Sequence, residues 1–513
     1  MRPSTSRMLT GLRAAVLCLG FALGAQACAE PVSGPVVSLD SGKIQGRAGQ
    51  GIVVFKGMPY AAAPVGPLRW RAPQPVKPWS EVRDAGDYGA SCLQTGTPRN
   101  VDPASRAAST SEDCLYLNVW APSAPKGKAP VIVWIHGGGD TEGTASQTYY
   151  DGSAFARDGV VLVSMNYRLG PLGFFAHPAL AAEQAKEGGN YGLMDQIAAL
   201  QWVRRNVAAF GGDPERVTVM GESSGGVDIV ALIGSPQAKG LFQRAIVQSA
   251  GMGWDVAPKL SEVRNQGLSL TRDLAPPAAT PKDLRAISGE ALVKAGQGRD
   301  VEPFVDGVVM PEAPLTAWAR RGSGGVSLLI GSNSEEGSLL YAEAKPERVV
   351  AGLSAEDLKA LRGLYGSAAA TDPEFARLLF RDAFFAGPAR WMGEHSGSPA
   401  WLYRFDYVRE SLRSRRPGAS HGSEIPFVFR TWRGMRVSDA DLRVEELIHR
   451  CWVGFARDGK PDCLGGAAWP EAKSGQRLTI EDPARAGPIA EAPALDLLER
   501  RTPAMVEANK ALH

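Results

Sequence analysis

The most chemically suggestive segment of the sequence is residues 221–226, Gly-Glu-Ser-Ser-Gly-Gly, which directly follows the apolar run 217–220. Glycines at these positions allow a sharp strand-to-helix turn that would lift the side chain of Ser223 out of the main chain. The apolar run 227–233 predicts a helix behind the turn, whose N-terminus would favour negative charge near Ser223. This pattern predicts a serine that attacks a carbonyl carbon.

A second Gly-x-Ser-x-Gly match occurs at residues 418–422. Three arginines and Pro417 stand where its strand should be, and the apolar residues 427–429 lie too far downstream to form the required helix directly. We therefore assign the nucleophile to Ser223 and not to Ser420.

A serine nucleophile needs donors for the oxyanion that forms during attack. Residues 136–139, His-Gly-Gly-Gly, follow the apolar run 131–135, and main chain without side chains can present its N–H groups without obstruction. We predict that Gly138 and Gly139 donate to the oxyanion together with the N–H of Ser224.

The nucleophile also needs a base, and the chain has six histidines. A hydrolase with this elbow has the order serine, acid, histidine along the chain. His421 follows the last long apolar run and best fits that order, whereas the other five lie at the C-terminus, in the glycine loop or outside any motif. The acid is expected in the loop 331–337, where spacing alone does not separate Glu335 from Glu336.

The elements that must position these residues alternate between strand and helix. Continuous apolar runs at 131–135, 160–163, 217–220, 245–247, 328–330 and 401–403 are typical of strands buried on both faces of a parallel sheet. Apolar residues between 193 and 210 repeat at steps of three and four, which predicts a helix that ends at Gly211. The order indicates an α/β fold, in which the helix-prone segments 255–325 and 340–395 cover the sheet rather than form separate domains.

Composition excludes several classes of protein. With 513 residues and 44% hydrophobic content, the chain can bury a large core. Its 56 Lys and Arg residues balance 54 Asp and Glu residues, so a nucleic-acid partner is not expected.

The N-terminus has the pattern of an export signal. Three arginines precede or flank an apolar run at 14–25, which is too short to span a bilayer. Small residues at 27–29 predict cleavage before Glu30, which leaves a single domain over residues 30–513 in a secreted or periplasmic protein without a membrane span. Lipid attachment at Cys28 is the alternative.

Four cysteines remain after cleavage, and an even number in an exported chain predicts two disulfides. Of the three possible pairings we favour the short-range one, Cys92–Cys114 and Cys451–Cys463. The sequence has no C-x-x-C pair to indicate a metal or redox site, and we expect neither metal nor cofactor.

At this point the sequence resembles the type B carboxylesterases, the cholinesterase-like branch of the α/β-hydrolases. The resemblance covers nearly all of the predicted mature chain and rests on the elbow together with residues 55–60, 69–70, 112–118, 166–174 and 305–308. It implies a central, mostly parallel, twisted sheet covered by helices, with helical cap excursions. It also implies hydrolysis of small-molecule esters without a cofactor.

The resemblance further implies roles for individual residues. It points to Glu336 as the acid and His421 as the base, and to a Cys92–Cys114 disulfide. Glu222 would be a buried carboxylate beside the nucleophile, and Ser249 a supporting hydroxyl near the acid.

The sequence departs from the family pattern at three places. Asp140 replaces an aromatic residue after the glycines, and we interpret it as a solvated loop carboxylate or as a change to the rim of the site. Ser224 replaces an alanine. The short segment from Glu336 to His421 predicts a reduced cap.

We therefore predict a serine esterase that acts through a Ser-His-Glu triad and an acyl-enzyme. The alternatives are a lipase for longer-chain glycerides and a hydrolase selective for bulky or anionic esters, the latter because arginines cluster at 409, 413, 415 and 416. A non-catalytic binding protein of the same branch is a remote alternative. The sequence does not indicate an oligomeric state.

Overall fold

The computed structural model describes residues 32–252, 257–299, 301–340, 350–432, 434–462 and 469–512. The predicted export signal, including Cys28 and the cleavage position before Glu30, lies outside the described residues. Within the described ranges, no helix combines the length and the apolar character that crossing a bilayer requires.

One large sheet dominates the fold, and a small two-stranded sheet lies beside it. Its strands and those of the small sheet are β1 Val32–Ser38, β2 Lys43–Gly49, β3 Ile52–Pro59, β4 Arg83–Asp84, β5 Ser91–Cys92, β6 Thr110–Ser111, β7 Tyr116–Pro122, β8 Ala129–Ile135, β9 Val161–Met165, β10 Gly212–Glu222, β11 Arg244–Gln248, β12 Ser327–Asn333, β13 Ala400–Phe405, β14 Gln476–Ile480 and β15 Arg485–Pro488.

The order across the large sheet is β1-β2-β3-β7-β9-β8-β10-β11-β12-β13-β14-β15, with β4 paired to β2. Strands β9 to β14 of this order are mutually parallel, and the pairs toward both ends of the sheet are antiparallel. Every residue of β8 and of β9 is buried, which explains why these runs are continuously apolar instead of alternating. The predicted parallel strands are confirmed.

Helices cover both faces of this sheet and fill the segments between its strands. They are α1 Ser153–Arg157, α2 Gly170–Gly173, α3 Ala181–Glu187, α4 Tyr191–Asn206, α5 Ser224–Gly234, α6 Leu260–Thr271, α7 Pro281–Ala286, α8 Gly289–Gly296, α9 Pro314–Arg321, α10 Ala355–Tyr365, α11 Asp372–Arg381, α12 Gly387–Glu394, α13 Ile425–Phe429, α14 Asp439–Asp458 and α15 Ala492–Leu512.

The helix predicted over residues 193–210 is confirmed as α4, which continues as a 3₁₀ turn through Phe210. Gly211 ends it in the left-handed conformation, with φ +79°. The buried face of α4 packs into the core, and β10 begins at Gly212, directly after Gly211. Helix α4 therefore sets where the strand that carries the elbow begins.

The register of the central strands brings three loops to one edge of the sheet. Ile135 at the end of β8 pairs with Gly221 of β10, and Glu222 of β10 pairs with Gln248 at the end of β11. Gln248 in turn pairs with Gly331 of β12. The glycine loop, the elbow and the acidic loop thus start side by side at the carboxyl edge, where ligands bind in open α/β sheets.

One disulfide bond, Cys92–Cys114, links the start of the small sheet to the segment before β7, with Cα atoms 4.9 Å apart. Cys451 in α14 is also disulfide-bonded. Its predicted partner, Cys463, lies outside the described residues.

Candidate active site

Ser223 lies at the turn between β10 and α5 with a positive φ, at φ +59° and ψ −129°. This conformation is rare for a residue with a side chain and marks a strained turn. The turn is held because the N–H of Ser223 donates to the carbonyl of Gln248 at 3.0 Å, while its own carbonyl accepts from Gly226 at 2.9 Å. The side chain of Ser223 is half-buried and therefore reachable from solvent.

Helix α5 begins directly after Ser223 and approaches the end of β8 very closely. A Cβ atom on Gly225 would lie 2.3 Å from the carbonyl oxygen of Ile135, closer than atoms can pack. The absence of a side chain at this position lets the N-terminus of α5 reach the glycine loop. The unpaired N–H groups of the first helical turn, including that of Ser224, therefore point toward the edge that carries Ser223.

The glycine loop passes equally close to the nucleophile. A Cβ atom on Gly137 would lie 2.5 Å from the carbonyl oxygen of Glu222 and 2.8 Å from Cβ of Ser223. Beyond it, the φ angles of Gly138 and Gly139 are +124° and +60°. Within the described part of the chain, the N–H groups of Gly138, Gly139 and Ser224 make no hydrogen bond.

His421 contacts Glu336 across two loops. The Nδ1 atom of the imidazole lies 2.6 Å from Oε2 of Glu336, whose other oxygen accepts from the N–H of Asn333 at 2.7 Å. Glu336 is fully buried, whereas Nε of Arg377 donates to Glu335 at 2.8 Å. The geometry thus separates the two glutamates that spacing alone leaves equivalent.

Main-chain contacts fix the acidic loop against the histidine loop. Glu335 and Ser420 form an isolated β-bridge, and the N–H of Glu335 donates to the carbonyl of Ala419 at 2.9 Å. Asn333 adds a side-chain hydrogen bond of 2.9 Å to the carbonyl of Ser420. The two loops therefore form one unit, which contacts Glu222, the residue before Ser223.

Glu222 approaches the other nitrogen of the imidazole, with Oε1 3.1 Å from Nε2 of His421. Neither atom makes a hydrogen bond to a described residue. Burial raises the pKa of Glu222 to about 8, against the opposing effect of the His421 charge. Burial also disfavours a charged imidazole, but Glu222 and Glu336 outweigh it and raise the pKa of His421 to about 10.

Glu424 is a buried residue of the site that sequence reasoning missed. It accepts hydrogen bonds from the side chain of Gln248 at 2.9 Å and from that of Asn333 at 2.6 Å. Burial raises its pKa. Its position three residues after His421 was the available signal, but a carboxylate at that spacing is common in solvent-facing turns.

Asp140 is buried, which shows that its interpretation as a solvated carboxylate is wrong. Only 2% of it is exposed, and its N–H donates to the hydroxyl of Ser224 at 3.2 Å.

Ser249 is fully buried as well, in a left-handed conformation with φ +49°, and its hydroxyl has no hydrogen-bond partner among the described residues.

In the arginine cluster upstream of His421, Arg409 is half-buried and the other three arginines are exposed. Arg409 donates to Met435 and to the carbonyl of Arg436, and Arg416 donates to the hydroxyl of Ser420. The hydroxyl of Ser420, in the second Gly-x-Ser-x-Gly match, therefore accepts from an arginine. Ser420 forms an isolated β-bridge with Glu335 and does not end a strand of the sheet, and the next helix begins only at Ile425.

Comparison with known proteins agrees with this arrangement. Residues 33–365 and 365–495 match the model of the carboxylesterase family. The chain is 37% identical over 473 residues to the fumonisin B1 esterase of Sphingopyxis macrogoltabida, covering 86% of this chain and 85% of that protein. It is 36% identical over 476 residues to the para-nitrobenzyl esterase of Bacillus subtilis, covering 87% of this chain and 94% of the relative.

Solved structures lead to the same class. A PNB esterase structure superposes with a TM-score of 0.78 at 33% identity, covering 90% of this chain and 99% of that one. A carboxylesterase of Geobacillus stearothermophilus gives a TM-score of 0.79 at 29% identity with the same coverages. The chain belongs to the carboxylesterase family. It is a carboxylic ester hydrolase with the α/β-hydrolase fold, as the sequence resemblance implied.

Proposed function

We propose that this protein is an exported serine carboxylesterase in which Ser223, His421 and Glu336 form the catalytic triad. The observation that carries the proposal is the contact of 2.6 Å between His421 and the fully buried Glu336, at the sheet edge where the strained elbow presents Ser223. A carboxylate in this position orients the imidazole and stabilises its protonated form.

The reaction proceeds in two halves. His421 takes the hydroxyl proton of Ser223 as the serine oxygen bonds to the ester carbonyl carbon, and His421 then gives that proton to the departing alcohol as the carbon–oxygen ester bond breaks. Water repeats the sequence on the acyl-enzyme: His421 takes a proton from water, the water oxygen attacks, and the proton returns to Ser223 as the carboxylic acid leaves.

The oxyanion of both steps would be bound by the N–H groups of Gly138, Gly139 and Ser224. These three groups have no protein partner within the described residues, so no hydrogen bond must break before they donate. Loss of one such donor costs about 2.7–4 kcal/mol of transition-state stabilisation.

Hydrolysis of p-nitrophenyl esters from acetate upward, by the mature protein and by Ser223→Ala, tests the proposal. We expect loss of turnover in Ser223→Ala and normal turnover in Ser420→Ala, which removes the serine of the other Gly-x-Ser-x-Gly match. Equal activity in Ser223→Ala and wild type would contradict the assignment.

The same series addresses the lipase alternative. A rate maximum at short acyl chains supports an esterase, and higher rates on emulsified long-chain glycerides would support a lipase. Because Arg416 contacts the residue before His421, relative rates on charged and neutral esters in Arg416→Gln test selectivity for anionic esters.

Export is supported by the basic and apolar pattern of residues 1–29. N-terminal sequencing of the protein recovered from the periplasm or medium is expected to begin at Glu30. A chain that retains Met1 or stays with the cytosolic fraction would contradict export.

A further inference from the structure

Two buried carboxyl groups, those of Asp140 and Asp228, are close enough to interact through a side-chain hydrogen bond. Asp140 directly follows Gly139 and is 2% exposed, and Asp228 is fully buried one helical turn after Ser224 in α5. Neither forms a salt bridge within the described part of the chain. Two ionised carboxylates in contact without a cation are strongly unfavourable in a protein interior.

Two side chains donate to this pair, one from the segment after β9 and one from α4. Tyr167, after β9, donates to Asp140 Oδ1 at 3.3 Å and to the carbonyl of His136 at 2.8 Å. Gln196 of α4 donates to Asp228 Oδ2 at 2.5 Å. Each contact supplies a neutral donor and no positive charge.

Two ionisable residues close to Tyr167, namely His136 and Arg168, do not supply that charge either. His136 stacks on Tyr167 at 4.6 Å, and burial lowers the pKa of His136 to about 4, so the ring is neutral at pH 7. The guanidinium of Arg168 is held by two hydrogen bonds of 2.7 Å to Asp195. The carboxyl pair must therefore lower its charge by keeping a proton.

The hydrogen bonds show where such a proton would lie. The remaining oxygen of Asp228, Oδ1, accepts from no donor among the described residues. If Oδ1 carries a proton and donates it to Asp140, the absence of a donor to Oδ1 is explained, because a protonated carboxyl oxygen needs an acceptor and not a donor. Burial, together with the neighbouring Asp140 charge, raises the pKa of Asp228 well above the ordinary carboxyl range.

We propose that Asp140 and Asp228 share one proton and that this pair positions the oxyanion donors by joining the glycine loop to helix α5. The main chain of Asp140 is left-handed, with φ +56°, and its N–H donates to the Ser224 hydroxyl at 3.2 Å. Any displacement of its side chain therefore moves the N–H groups of the two preceding glycines. Since those glycines are proposed donors, this positioning role rests on the proposed function.

Asp140 and Ser224 are also two of the positions where the sequence departs from the family pattern. Their contact, with Asp228 below, makes the departures one structural unit. In this unit a shared proton, instead of apolar packing, holds the glycine loop against α5. The position of the loop therefore depends on pH.

The first test measures proton binding without using catalysis. Unfolded carboxyls lose their protons near pH 4, whereas the folded pair keeps one, so stability falls as pH rises above 4 until the folded pair titrates. We expect the melting temperature of wild type to fall between pH 5 and 9 more steeply than that of Asp228→Asn. Asp273→Asn, which removes an exposed carboxylate, is the control and should follow wild type.

The second test measures positioning. Asp228→Asn keeps an N–H donor for Asp140 and removes the titrating proton, so its kcat should stay within about threefold of wild type at pH 7. Above the titration of the pair, the ratio of kcat of wild type to kcat of Asp228→Asn should fall by up to about tenfold per pH unit, because the titration of His421 is common to both proteins and cancels in the ratio. KM should change little in either protein.

The outcomes separate the two proposals. Parallel melting curves for wild type and Asp228→Asn would overturn the shared proton, even if no ester is hydrolysed. A difference in melting with identical pH profiles of kcat would overturn the positioning role. Absence of turnover in wild type would contradict the proposed function but leave the melting result valid.

A second variant and a measurement on wild type cover the case in which Asp228→Asn does not fold. Asp140→Asn presents an amide donor to an ionised Asp228 and should show the same flatter melting profile. The infrared difference spectrum of wild type minus Asp140→Asn at neutral pH should contain the carbonyl band of a protonated carboxyl group, because the contribution of Glu222 is the same in both proteins and cancels. A spectrum without this band overturns the proposal.

Discussion

Oε1 of Glu222 lies 3.1 Å from Nε2 of His421, the ring nitrogen that Glu336 does not contact. The imidazole is thus placed between two carboxylates, one at each nitrogen. Both favour the protonated ring, and in the proposed mechanism His421 must lose that proton before Ser223 can transfer its own. The groups titrate together, so the pH profile reports the cluster and not one residue.

Replacing Glu222 with Gln should shift the acid limb of the kcat/KM profile to lower pH. Removal of one negative charge lowers the pKa of His421, and a charge at this distance is worth about 1–3 units. The imidazole is then neutral, and active as a base, at a lower pH than in wild type. The measurement is kcat/KM against pH, from pH 4 to 10.

The control for this shift is Glu215→Gln, because the side chain of Glu215 is 69% exposed. It should leave the profile unchanged. An unchanged profile in Glu222→Gln would contradict this prediction and show that Glu222 carries no charge that influences the imidazole.

Glu335 and Glu336 form a matched pair of adjacent carboxylates with different partners. Glu336→Gln should lower kcat by about three to four orders of magnitude, because the amide neither stabilises the imidazolium nor fixes its tautomer. Glu335→Gln loses its ion pair with Arg377 and should retain kcat within a few-fold. Comparable losses in the two variants would refute the assignment of the acid.

Gly137 and Gly139 differ in the space available to a side chain. Ala at 137 would collide with Glu222 and Ser223, whereas the Cβ of Ala at 139 would meet only Thr141 Oγ1, at 3.9 Å. We expect Gly137→Ala to lower kcat by about 100-fold or more, as loss of an oxyanion donor does. Gly139→Ala adds only the cost of its left-handed conformation, about 1–2 kcal/mol.

Steady-state kinetics and thermal melting together distinguish these effects. For Gly137→Ala the loss should be in kcat at nearly unchanged KM, because the donors act on the oxyanion and not on the bound ester. A larger kcat loss for Gly139→Ala than for Gly137→Ala would mean that the loop approaches Ser223 differently.

Removal of the Cys92–Cys114 bond should destabilise the fold. The cysteines are 22 residues apart, and closing a loop of that length contributes about 3 kcal/mol in the chain-entropy model. The double variant Cys92→Ala/Cys114→Ala should therefore unfold at a lower urea concentration, with the m-value as the check on cooperativity. An unchanged midpoint would show that the loop is held by its other contacts.

Much of the site could be predicted because its main parts are local in the sequence. Ser223 and the glycines 137–139 each follow an apolar strand directly, so strand position also fixes loop position. His421 follows from chain order alone. In contrast, Asp140 and Glu424 become buried only when distant segments close over them, and neither has a neighbouring residue that signals burial.

The choice between Glu335 and Glu336 shows the same limit. Both follow β12, and only the bridge from Glu335 to Ser420 determines which side chain turns inward. That bridge joins segments far apart in the chain. No periodicity within the loop encodes it, so residues alone left the choice open and the family resemblance supplied it.

The bridge between the acidic loop and the histidine loop also bears on how new specificities can arise. Glu336 and His421 belong to one unit, whose two loops are joined by a main-chain bond from Glu335 to Ala419 and by side-chain bonds of Asn333, Ser334 and Ser338. None of these residues lies in α6–α12. The helices inserted between β11 and β13 can therefore change in sequence or length during evolution while the contact between Glu336 and His421 is kept. Descendants of such a protein can therefore acquire new ester substrates without a change in the catalytic residues.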